Sequence, residues 1–152
     1  MHSASPKIYL DTNVFIEAFE KANASESGIW PVFDAVDRQE FHAFTSEITL
    51  AELLPKVIAN GQATLSALYQ RMFREQDVFE AVPVHQTILI ESAQLRAVQP
   101  SLRLPDAVHL ATAAVTGCSV VLSNDRRLSS AGSIPTVNVS ADMLSRIRFL
   151  VQ

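Results

Sequence analysis

Disulfides are out of reach for this chain. Its one cysteine, Cys118, lies in an apolar run just after Gly117 and reads as a small buried side chain, which suits a reducing compartment. Long hydrophobic runs are missing as well. No stretch approaches the roughly 20 apolar residues of a membrane-spanning helix, and the first ten residues lack the charged start and apolar core of a secretion signal. These absences predict a cytoplasmic protein with no membrane attachment. Positive charge is not in excess either: the formal net charge is −4, so the molecule as a whole offers nucleic acid no attractive field, and any RNA contact must be local. Nine of the twelve basic residues are arginines, spread along the chain, and most read as surface charges or helix-face pairs. Four scattered histidines and a lone cysteine show none of the spacings of a zinc site. Internal repeats and low-complexity segments are absent.

What is there is enough apolar material for one full core. With 152 residues, 48% of them hydrophobic and 18% charged, the chain is the size and composition of a single globular domain, assigned to residues 7–152 after a polar, flexible leader at 1–6. Lys7 to Leu10 is a short β-type run that stops at Asp11 and turns into a helix carrying Val14, Phe15, Ala18 and Phe19 at helical spacing. A break at 23–28 leads to a second helix at 29–39. Phe15, Phe19, Trp30 and Phe33 then form an aromatic hairpin, read as core, with a partner-binding face as the alternative. A strand at 41–46 precedes Thr49-Leu50-Ala51-Glu52, which has the spacing of a capping box and so supplies a structural account of Glu52 equal in weight to a functional one. Pro55 predicts a kink or break soon after.

Further along, an amphipathic helix at 63–75, a strand at 78–84 and a helix at 85–99 follow one another. Pro105-Asp106 opens a helix that Gly117 closes, and Ala107, Ala111, Ala113 and Ala114 are expected to bring its backbone close to the sheet. Ser119 to Ser123 reads as a strand buried on both faces, ending in Asn124-Asp125. A last strand at 136–139 and a terminal helix at 140–149 complete the chain. Strands and helices alternate nearly throughout, which predicts an α/β fold: a three-layer α/β/α sandwich around a central, mostly parallel five-stranded sheet.

Four acids stand out in that frame. Asp11 and Asp125 sit at the carboxyl ends of strands, where parallel sheets place their ligands, and Glu52 and Asp106 sit in first helical turns that can crowd the same sheet edge. Each has an ordinary capping explanation taken alone. If the four converge, their mutual repulsion calls for a hard divalent cation, and an oxygen-only ligand set selects Mg²⁺ or Mn²⁺. Such a site suits phosphodiester chemistry.

Leu10-Asp11-Thr12-Asn13, Thr49-Leu50-Ala51-Glu52-Leu53, Leu104-Pro105-Asp106-Ala107-Val108-His109-Leu110-Ala111-Thr112-Ala113 and Leu122-Ser123-Asn124-Asp125-Arg126-Arg127-Leu128 resemble, in order and spacing, the successive motifs of PIN-domain nucleases. Within that superfamily the small size and the form of the third and fourth motifs are most similar to VapC-type toxins of toxin–antitoxin pairs. The resemblance implies a Mg²⁺-dependent endoribonuclease, with Mn²⁺ able to substitute, whose catalytic metal ligands fall on Asp11, Glu52, Asp106 and Asp125. It places Thr12, Asn13 and Ser123 beside those ligands, Ser123 standing in for a more usual threonine. Arg127 stands where many relatives carry a further aspartate, which leaves a leaner acidic set. Arg103, Arg126 and Arg127 are candidates for RNA-phosphate contacts, with plain surface charge as the alternative. Homodimerisation and a small VapB-like antitoxin partner are also implied. Two other readings stay open: a PIN-domain nuclease of RNA processing without a toxin role, and a non-catalytic binding module whose acids merely cap helices.

Overall fold

Near-continuous burial along the short strands explains the layering. In the computed structural model, which describes residues 4–21 and 26–152, five strands form one sheet in the order β3-β2-β1-β4-β5. The strands are β1 (Lys7–Leu10), β2 (His42–Ser46), β3 (Glu80–Val82), β4 (Val120–Leu122) and β5 (Thr136–Val137), and every pairing is parallel. The leader's first three residues and part of the break at 23–28 lie outside the described residues.

Among the described residues eight helices cover the sheet: α1 (Thr12–Phe19), α2 (Ile29–Asp37), α3 (Ile48–Ala59), α4 (Ala63–Glu75), α5 (Gln86–Val98), α6 (Leu104–Thr116), α7 (Arg126–Ala131) and α8 (Met143–Leu150). Because successive strand residues face opposite sides, Ile8, Leu10, Val120 and Leu122 join one core with residues of α1, α2, α3, α4 and α8. Tyr9, Phe44, Val82 and Val121 point the other way, into a smaller core with α5 and α6. Both faces of the central strands are therefore apolar, as expected of a parallel sheet covered on both sides. Removing any of these buried side chains would forfeit about 1.5–3 kcal/mol of transfer free energy before any cavity cost.

The differences from the sequence reading have local causes. α3 runs from Ile48 straight through Pro55, which costs one backbone hydrogen bond, but the carbonyl it would have served belongs to the exposed Ala51 and can turn to water. β3 stops at Val82 because Pro83 cannot extend the ladder, and its Ala81 N–H is met by the Gln76 side chain at 3.0 Å. β5 is shorter still, since the Val139 N–H goes to the Asn124 side chain at 2.7 Å instead of a neighbouring strand. Ala107, Ala111 and Ala113 are fully buried in α6 as expected, but Ala114 is exposed on its outer side. Helix α7 had no clear sequence signal. Of the aromatic hairpin, Phe15 and Phe33 are core, while Trp30 stays 37% exposed with its ring edge-on to Phe19 and Phe33.

Two glycines matter to this frame. Gly117 ends α6 at φ 77°, the left-handed conformation that closes a helix, so the chain can reverse into β4. At Gly28, φ is 81° and an added Cβ would lie 2.0 Å from the Ser140 carbonyl oxygen, so only glycine lets α2 start against the segment before α8.

Candidate active site

Strand order reverses direction around β1, with β2 on one side and β4 on the other, and the crevice beyond their carboxyl ends is where such a sheet binds ligands. Asp11 lies there. Its backbone N–H still donates to the Leu122 carbonyl at 3.0 Å, which extends the β1–β4 ladder one residue and fixes the direction of the side chain. Although Asp11 occupies the N-cap position of α1, its carboxylate makes no cap hydrogen bond. It instead accepts from the Ser123 hydroxyl at 2.6 Å and is only 5% exposed.

Ser123 ties the two strand ends together. While donating to Asp11 it accepts the Asp125 backbone N–H at 3.0 Å, and Asn13 adds a second tie by accepting the Asn124 N–H at 3.1 Å. Thr12 is buried alongside, and its hydroxyl donates to Glu52 Oε1 at 2.8 Å.

The capping box is not formed. α3 begins at Ile48 with Glu47 before it, and the Thr49 hydroxyl pairs with that of Thr45 at 2.8 Å, which in turn donates to the Leu10 carbonyl. The Glu52 side chain is thereby left to reach out from α3 to Thr12 and His109. His109 Nε2 lies 2.5 Å from Glu52 Oε1 and 3.5 Å from Asp11 Oδ1, and Nδ1 lies 2.6 Å from the Tyr9 hydroxyl. A carboxylate only accepts, so Nε2 carries the proton shared with Glu52. Burial opposes charge on Glu52, but the hydrogen bond and charge of His109, with the Thr12 hydroxyl, hold its carboxyl below the usual range. Burial likewise opposes charge on His109, yet the hydrogen bond to Glu52 and the nearby Asp11 raise it above an ordinary histidine. The Tyr9 phenol is pushed well above its usual value, chiefly by burial and then by Asp11.

Asp106 enters from the first turn of α6, 9% exposed, and its Oδ2 has no hydrogen-bond partner among the described residues. Burial raises its pKa, the charge of Arg127 partly offsets this, and Asp125 and Asp11 raise it further. Asp125 caps α7: its Oδ1 accepts the Arg127 backbone N–H at 2.9 Å, and the Arg127 guanidinium grips both carboxylate oxygens. That grip, above all, holds the Asp125 carboxyl below its usual range. Arg103, the residue before α6, lines a pocket of about 270 Å³ with Gln99, Ser101, Leu102, Asp106 and Arg127. Arg126 is exposed at the start of α7, outside that lining.

The four acids thus share one sheet edge in two pairs. Asp11 and Glu52 meet at His109, while Asp106 and Asp125 both feel Arg127. They do not make a closed cage: among the described residues no three His, Cys, Asp or Glu side chains stand close enough to share one ion. A divalent cation nonetheless fits the donors. The set is all oxygen, and the buried Asp106 Oδ2 lacks the positive partner that an interior carboxylate needs. His109 and Tyr9 were not singled out for the site from sequence. The available signal was the three-residue step from Asp106 to His109, which puts both on one helix face.

Among curated proteins none matches the chain. Solved structures do, at the level of fold. VapBC2 from Rickettsia felis, determined on a DNA fragment from its promoter, is 15% identical, with a TM-score of 0.71 over 87% of this chain and 98% of that one. FitAcB from Neisseria gonorrhoeae is 20% identical, with a TM-score of 0.65 over 86% and 96%. VapC20 from Mycobacterium tuberculosis, a toxin that cleaves the sarcin-ricin loop, is 15% identical, with a TM-score of 0.64 over 82% and 95%. The PIN domain family model matches residues 8–133, a span that begins in β1, ends just after α7 and takes in all four acids. By that match the chain belongs to the PIN domain family.

Proposed function

We propose that the protein is a Mg²⁺-dependent endoribonuclease and the toxin half of a toxin–antitoxin pair. The observation that carries the reading is the buried, partnerless Oδ2 of Asp106 at the sheet edge that also holds Asp11, Glu52 and Asp125. Asp11, Asp106 and Asp125 would hold the cation once their side chains draw closer than they now stand, and Glu52 would bind it or orient its waters. Bound there, Mg²⁺ or Mn²⁺ supplies an activated water and charge stabilisation at the scissile phosphate.

The chain's own residues do the positioning. Ser123 holds Asp11 toward the crevice, and Thr12 and His109 keep Glu52 ionised and aimed. Asn13 braces the β4 end against α1. The pocket beside Asp106 offers Arg103 and Arg127 to the phosphate backbone, and the exposed Arg126, outside its lining, is a further candidate for a phosphate contact.

Support for RNA as the substrate comes from the similar fold of VapC20, and support for an antitoxin partner from neighbours solved as toxin–antitoxin assemblies, one of them from Klebsiella pneumoniae. Homodimerisation and a cytoplasmic place of action belong to the same reading. Among the described residues no helix is long and apolar enough to cross a membrane.

The deciding experiment is cleavage of a structured-RNA pool with Mg²⁺ or Mn²⁺, with chelator, and by an Asp106→Asn variant. Discrete fragments that disappear with chelator and in the variant are the expected result. Cleavage persisting in the variant would overturn the assignment of Asp106. A folded protein that neither cleaves RNA nor takes up Mn²⁺ in calorimetry would be the binding module instead.

A further inference from the structure

One cationic side chain is built into the acidic crevice itself. Arg127, its side chain 54% exposed, folds back over the start of α7, with Nε 3.2 Å from Asp125 Oδ1 and Nη2 3.0 Å from Oδ2. Together with the backbone N–H of the same residue, this occupies both oxygens of the Asp125 carboxylate. The fork is the two-point geometry a guanidinium makes with a carboxylate and a lysine cannot.

The guanidinium also lines the pocket beside Asp106, and its charge acts on Asp106 and Asp11. It does not satisfy Asp106, whose Oδ2 remains buried and partnerless a short way off. One acid of this pair is therefore already served by an internal cation, and the other is aimed at a position where a cation is needed. An exposed ion pair on a long flexible stem is worth little, so a second cation of higher charge can compete with it.

We propose that Arg127 is a resident counter-cation that competes with a divalent ion for the carboxylate of Asp125 and so sets the cation affinity of the site. This rests on reading the four acids as cation ligands. The pocket shared with Arg103 gives the displaced guanidinium a destination: it swings from Asp125 toward an anionic group lodged beside Asp106, such as a backbone phosphate. Anion and divalent ion then assist one another, because each removes the other's competitor.

The test is Mn²⁺ titration calorimetry on the full chain without RNA, comparing the wild type with Arg127→Ala, Arg127→Lys, Asp125→Asn and Asp125→Asn/Arg127→Ala. Arg127→Ala is expected to bind Mn²⁺ about fivefold more tightly, since an exposed ion pair is worth about that factor at most. Arg127→Lys should fall between, because it keeps the charge and loses the fork. The gain should vanish in the double variant when compared with Asp125→Asn alone. Equal affinity in wild type and Arg127→Ala overturns the inference and leaves the site reading standing. Weaker binding in Arg127→Ala also overturns it, because Arg127 would then order Asp125 for the ion. Absence of Mn²⁺ binding in all the folded proteins overturns the reading of the acids, and the inference with it.

Discussion

The two pairs of acids in the crevice are stabilised by opposite means. Around Asp11 and Glu52 the positive or donating partner is His109, locked inside α6 and held at its far nitrogen by Tyr9. Around Asp125, and only through its charge around Asp106, it is Arg127, on a half-exposed stem. A buried donor network is rigid and costly to break, whereas an exposed ion pair exchanges readily. The support of Asp11 and Glu52 through His109 is therefore fixed, and that of Asp125 through Arg127 adjustable.

Asp106→Asn should show the largest effect and sharpen this contrast: metal-dependent cleavage falls at least about 100-fold, more than expected for a residue that only supports a ligand. Its unfolding midpoint without divalent ions should rise, because the substitution removes a buried charge that has no partner. Paired RNA-cleavage and thermal-melt measurements check both parts, and a fall in both would mean that Asp106 is structural.

Next comes His109→Ala, which strands Glu52 and Tyr9 and should cost about 3 kcal/mol in urea unfolding. Tyr9→Phe removes only the hydroxyl at Nδ1 and should cost about 1–2 kcal/mol by the same measurement. Arg127→Ala, at the exposed end, should leave the urea midpoint where it is. If His109→Ala proved as mild as Arg127→Ala, the distinction between a fixed and an adjustable half would collapse.

A pH series gives a smaller, signed effect. Glu52 has a lowered pKa, so its contribution is present above the ordinary glutamate value and is lost as pH falls through the lowered one. His109 has a raised pKa, so its contribution is complete below the ordinary histidine value and is lost as pH rises through the raised one. The pair thus stabilises the fold most between the ordinary glutamate and histidine ranges. Stability declines toward alkaline pH, and a His109→Gln variant should lack that decline in a melt series.

Much of this arrangement could be read one residue at a time. Asp11 and Asp125 stand at strand ends because short apolar runs stop there, and Asp106 follows Pro105 at a helix start. The capping box misled because an i, i+3 spacing of Thr and Glu serves a helix end and a site equally well. Thr49 was spent on Thr45, a contact set by how α3 leaves β2, and Glu52 was released. α7 escaped notice because six residues carry too little periodicity; the Asp125 cap and the burial of Leu128 hold it in place.

Local pattern was thus enough for the alternation of strands and helices, the two apolar faces of the sheet and the four acids, since periodicity and turn chemistry act between near neighbours. The partners of those acids were not available at that level. Tyr9 and His109 are 100 residues apart, and Ser123 is 112 from Asp11. Only the strand order, with β1 between β2 and β4, brings them together, and no rule of local spacing encodes which distant donor will meet a given carboxylate.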